Sequence, residues 1–177
     1  MNGTHVFVDE TKYRGYVLAA AVIVPADLAP VRKVIRGLVL PGQRRLHMKD
    51  ESAPRKRSIA SAIVASGVQA TIYDAGRRHR TERDRRAACL RALVGDLATQ
   101  GRSAVVIEQD ETLLSWHNQC LIEATRSAGC RDTLSYRHAT AAGEHLLAIP
   151  DAIAWCWAKG GDWRRRIEQV VTGVRKV

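Results

Sequence analysis

The chain has 177 residues, of which 46% are hydrophobic and 26% charged, with 28 Lys plus Arg against 18 Asp plus Glu and a net charge of +10. A chain of this length buries well over half of its unfolded surface in one ordinary domain, which excludes a disordered polymer and a small disulfide-held scaffold. Arg supplies 22 of the 28 cations, and its planar five-donor fork suits bidentate contacts to phosphate, so RNA or DNA is the expected partner.

Residues 5–9 and 15–24 are short apolar runs separated by a polar turn, the pattern of two antiparallel strands. The second run ends at Pro25. It is the longest apolar stretch and only strand-length, well below the roughly 18 residues of a membrane helix, so no membrane partner is expected. The stretch 1–9 lacks a charged segment followed by an apolar core and cleavage site, which sets a cytoplasmic expectation.

Residues 25–27 open a helix in which Leu28, Val31, Val34, Ile35 and Leu38 recur at three-and-four spacing, and Pro41-Gly42 ends it. Residues 46–51 are short and mixed, compatible with a strand. Pro54 starts a second helix with Ile59, Ile63 and Val64 inward until Gly67. Residues 68–73 read as a strand, 83–99 as a helix, 103–108 as a strand, 111–128 as a helix and 133–138 as a last strand. Two closing helices, 150–158 and 162–171, are split by Gly160-Gly161. The whole is a single α/β domain over 1–177, a mixed sheet flanked by helices.

Cys89, Cys120, Cys130 and Cys156 form no C-x-x-C pair. They read as reduced packing residues, with Cys130 after Gly129 exposed at a helix end.

Three carboxylates close or open apolar runs. Asp9 ends Val6-Phe7-Val8, Glu108 ends Val105-Val106-Ile107, and Asp151 sits in the first turn of an apolar helix. Singly, each has an ordinary explanation: an Asx turn, an Arg partner, the helix macrodipole. Together they imply a cation, because an ionised carboxylate beside apolar chain costs several kcal/mol unless paired, and hard oxygen donors select Mg²⁺ or Mn²⁺. Two such ions can activate water and stabilise the leaving oxygen of an in-line phosphodiester displacement.

The segments Val6-Phe7-Val8-Asp9-Glu10-Thr11, Leu46-His47-Met48-Lys49, Val105-Val106-Ile107-Glu108 and Ile149-Pro150-Asp151-Ala152-Ile153-Ala154 resemble, in order and over nearly the whole chain, the landmarks of the bacterial "domain of unknown function 3800" family, proteins with a ribonuclease H-like fold. The resemblance implies that fold and a metal-dependent nuclease site built from Asp9, Glu108 and Asp151, with Asp9 bridging the ions. The family's first motif usually continues Asp-Glu-Ser-Gly, where this chain has Asp9-Glu10-Thr11-Lys12.

Glu10, Asp110, Glu111 and Glu144 are alternate metal ligands. His47 and Lys49, alternate residues of an extended segment, are candidates to shuttle a proton and hold a phosphate. His138 and His145, and less so His117, are further proton-transfer candidates. The densest basic run is Arg77-Arg78-His79-Arg80, continued by Arg83, Arg85 and Arg86. With Arg164, Arg165 and Arg166, and with Arg44, Arg45, Arg55, Lys56 and Arg57, it offers salt-sensitive, sequence-indifferent backbone contacts. Trp155 and Trp157 read as core, so no single-strand stacking platform is expected. The reading is a Mg²⁺- or Mn²⁺-dependent phosphodiester hydrolase. Its rivals are a non-catalytic nucleic-acid-binding or adaptor module on the same fold, and an enzyme acting on a small phosphorylated or acidic substrate.

Overall fold

The apolar pair of strands forms the centre of a mixed sheet in the computed structural model, which describes residues 3–101 and 103–177; Met1 and Asn2, included in the reading of stretch 1–9, lie outside them. β1 (Thr4–Thr11) and β2 (Tyr16–Ile23) are antiparallel, paired from His5 with Ile23 to Thr11 with Val17. β3 (Gln69–Gly76), β4 (Ser103–Glu108), β5 (Leu134–Ala139) and β6 (Val171–Lys176) complete the order β5-β4-β1-β2-β3-β6. β4 runs parallel to both β1 and β5, β2 is antiparallel to β3, and β3 is parallel to β6.

Both faces are covered, which explains why the central strands are apolar without alternation. α1 (Leu28–Leu38), α2 (Ala53–Ala65), α5 (Ala148–Lys159) and α6 (Gly161–Ile167) pack on one face, around Phe7, Val31, Ile59, Ile63, Ile149 and Ile153. α3 (Glu82–Ala98) and α4 (Leu114–Ser127) pack on the other, around Val6, Val8, Leu90, Leu93 and Leu121. Each fully buried aliphatic side chain contributes about 1.5–3 kcal/mol. α3 starts with a reciprocal capping box between Thr81 and Asp84.

Three local expectations are corrected. Residues 46–51 form no strand: a 3-10 turn at Met48–Asp50 drops the Met48 side chain into the core while its N–H turns to Asp151. The helix expected over 162–171 stops at Ile167, and the chain becomes β6 after a 3-10 turn at Glu168–Val170. The sequence Val170-Val171-Thr172-Gly173-Val174 is β-branched with one glycine, which disfavours helix and suits the open edge beside β3. Cys130 is buried, as are the other three free cysteines.

Candidate carboxylate cleft

The period of two along a strand sorts the acids. Phe7 faces the α5 side and Val6 and Val8 face the α3–α4 side, so Asp9 follows Phe7 and Glu10 follows Val8. On β4, Val106 faces the α5 side and Val105 and Ile107 the other, which puts Glu108 on the same face as Asp9. Val8 pairs with Ile107, so Asp9 and Glu108 stand one step beyond that pair on adjacent parallel strands. Asp151 completes the group from the first turn of α5, where Pro150 is tolerated because that N–H needs no helical acceptor.

Each acid has one oxygen bound by the protein. Asp9 Oδ1 accepts the Glu10 N–H at 2.7 Å, Asp151 Oδ2 accepts the Met48 N–H at 2.7 Å, and Glu108 Oε1 accepts from Arg45 Nη1 at 2.7 Å. The remaining oxygens are electrostatically uncomfortable. Burial, then repulsion from Asp151 and Glu108, pushes the Asp9 carboxyl well above its ordinary range. Asp151 is also raised, chiefly by burial, against the opposing Met48 N–H and His47 ring.

These acids line a cleft of about 650 Å³ together with Thr11, Lys12, Tyr13, His47, Lys49, Trp155 and Lys159. His47 Nε2 lies 3.8 Å from Asp151 Oδ1 and its Nδ1 lies 3.3 Å from Asp50. The 3-10 turn, rather than strand alternation, brings both His47 and Lys49 to the cleft. Trp155 packs against the core as expected but is only half-buried, its remaining surface lying on the cleft wall. The signal was in the sequence: Asp151, Trp155 and Lys159 are spaced i, i+4, i+8 and so stripe one face of α5.

The alternate ligands land elsewhere. Glu10 reaches the cleft rim but is bonded by Arg86, which is 1% exposed, contrary to its place in a basic surface run. Burial raises Glu10 while Arg86 opposes that shift. Asp110 lies 4.0 Å from Arg86 and is bonded by Thr112, whose hydroxyl holds its carboxyl low. Glu111 is exposed. Glu144 is buried between Arg32 and Arg137, each at 3.2 Å, and caps the turn containing His145. His117 touches Arg86 and stacks on His138, with ring centroids 5.5 Å apart.

The basic run divides by role. Arg78 donates to Asp74 O and Val177 O, and Arg85 to the carbonyls of Arg77, Arg78 and His79; these two hold the loop together. Arg77 and Arg80 are exposed on it, and Arg83 is exposed in the first turn of α3. Arg164 turns inward, donating to Trp157 O at 2.8 and 3.0 Å, while Arg165 and Arg166 pair with Asp162. Arg55 bonds Glu51 and Leu38 O.

Among the described residues, no three His, Cys, Asp or Glu side chains stand in an arrangement that could hold a metal ion as they are. No helix there is long and apolar enough to cross a membrane. Comparison with protein-family models, with curated proteins and with solved structures finds no match for this chain.

Proposed function

We propose that the cleft hydrolyses phosphodiester bonds of RNA or DNA with Mg²⁺ or Mn²⁺, on a ribonuclease H-like scaffold. The observation that carries this reading is the convergence of Asp9, Glu108 and Asp151, from a central strand, its parallel neighbour and a helix, on one cleft. A strand-borne Asp, a strand-end acid and a late helix-borne Asp are also the order that the sequence resemblance implies.

The donor chemistry fits a hard cation. All three groups are carboxylates, and Asp9 is repelled by the other two with, among the described residues, no basic side chain bonded to it. The side chains have to draw together, Glu108 away from Arg45, for Asp9, Glu108 and Asp151 to hold the metal. When bound, a divalent ion supplies activated water and stabilisation of the leaving oxygen. The chain's own residues do the rest. Lys49 and Lys12 at the rim attract the phosphate, His47 stands beside Asp151 as the candidate proton carrier, and the exposed Arg77, Arg80 and Arg83 add backbone attraction at longer range.

Calorimetry with Mn²⁺ and Mg²⁺ on the wild type and Asp9→Asn, beside cleavage assays on single- and double-stranded RNA and DNA, tests this. Metal binding and cleavage that vanish together in the variant are expected. Metal-independent, salt-sensitive nucleic-acid binding that survives Asp9→Asn, without cleavage by the wild type, would instead establish a non-catalytic binding module.

A further inference from the structure

From the carboxylates the wall of the cleft continues outward as alternating aromatic rings and cations. Along α5, Asp151 is followed by Trp155 and then Lys159, all three lining the cleft. Lys159 Nζ sits 4.0 Å from the centre of the Tyr13 ring and 5.3 Å from that of Trp155. Lys56 of α2 lies 4.8 Å from the Trp155 ring centre, and Trp163 in α6 meets Trp155 in a T-shaped pair with centroids 5.2 Å apart. Arg57 extends the strip over Trp163 at 5.9 Å.

Helix packing explains why the rings touch the core. It does not explain the charge. Among the described residues Lys56, Arg57 and Lys159 have no carboxylate within ion-pair distance, and each lies over an aromatic ring instead. Tyr13, at the tip of the β1–β2 turn, is 39% exposed despite its size.

We infer that this strip, running from the carboxylates across Tyr13, Trp155 and Trp163, is a track for single-stranded nucleic acid, so the substrate is an unpaired strand. The inference rests on the hydrolytic reading for the fate of that strand, but the track binds without metal. A phosphate draws Lys159 or Lys56 off its ring by charge, and the uncovered face takes a base by stacking. Only an unpaired base offers that face, because in a duplex both faces are already stacked within the helix. A duplex meets the same cations as charge alone.

Fluorescence anisotropy in EDTA tests the track with the full chain, an oligothymidylate of about 15 nucleotides and a duplex of equal length, in the range of known single-strand site sizes. The expected result is tighter binding of the single strand by about tenfold or more, together with quenching of tryptophan fluorescence that Trp155→Phe reduces. Tyr13→Ala and Lys159→Gln each weaken the single strand about fivefold or more and move the duplex less. Both variants alter exposed or half-exposed groups, and circular dichroism verifies folding. Arg77→Gln lowers both affinities by a similar factor. Equal affinities for strand and duplex, equal effects of Tyr13→Ala on both, or no binding of either overturn the track. Calorimetry with Mn²⁺ separates the two proposals: metal binding without strand preference removes the track and leaves the metal site, and strand preference without metal binding does the reverse.

Discussion

Arg86 Nη1 lies 2.8 Å from His117 Nε2 inside the protein. A guanidinium only donates, so His117 accepts through Nε2 and carries its proton on Nδ1, which has no hydrogen-bond partner among the described residues. Burial first, then Arg86 and His138, lowers the His117 pKa to about 4 from 6.5. The unfolded chain therefore binds this proton more readily than the folded one. The stabilisation is full above pH 6.5 and is lost as pH falls toward 4. His117→Gln, which keeps an acceptor for Arg86, removes that slope, a difference of up to about 3 kcal/mol. Thermal melts of both proteins from pH 4 to 7 measure it.

Asp9 has the opposite sign. Its folded pKa lies above the ordinary 3.8, so its contribution is full below that value and is lost as pH rises through the raised one. At neutral pH without metal this buried carboxyl is a liability. Asp9→Asn therefore raises the melting temperature by roughly 2–4 °C, taking about 1 kcal/mol for relief of repulsion. Added Mn²⁺ stabilises the wild type and leaves the variant unmoved. A lower melting temperature in Asp9→Asn would show that its carboxylate is needed for folding instead.

Glu10 depends on Arg86, whose Nη2 it binds and whose side chain is 1% exposed. Arg86→Met strands a buried carboxylate and costs about 3–5 kcal/mol. Arg86→Met combined with Glu10→Gln recovers part of that loss, and a double-mutant cycle by urea denaturation reads the coupling. No recovery would mean that Arg86 acts mainly through packing on Tyr16, over whose ring its guanidinium carbon lies at 5.7 Å.

Gly15 has φ +148°, and a Cβ built there would meet Gly76 O at 2.8 Å, where β2 approaches the end of β3. Gly15→Ala costs about 1–3 kcal/mol by backbone strain and displacement. Because the turn carries Tyr13, the same variant weakens single-strand binding while leaving Mn²⁺ affinity within about twofold. Urea melts and calorimetry check the two parts.

The architecture around Asp9 was legible because hydrophobic runs and their terminating acids are local. Strand period alone aligns Phe7 with Asp9 and Val106 with Glu108. Helix period aligns Asp151 with Trp155 and Lys159, but an apolar helix hid that stripe, since a half-buried Trp and a core Trp have the same sequence signature. Arg86 was misplaced for a related reason. In a run of arginines nothing local marks the one that α3 turns inward, and its burial depends on Glu10 and His117 from distant segments. β6 is hard to read because Ile167, Val170 and Val171 keep helical spacing past the end of α6, and the β-branched run after them becomes a strand once it pairs at the edge beside β3.

The alternation of Asp9 and Glu10 on β1 also constrains how this protein can change. Exchanging one of these acids alters one side of the sheet and leaves the other's partners in place. Inserting or deleting a single residue ahead of them swaps both at once, sending Glu10 toward Asp151 and Asp9 toward Arg86. In the segment 4–9 the count of residues is therefore more tightly held than their identity. Tolerance to insertion begins only at the turn after Thr11, where the pairing with β2 ends.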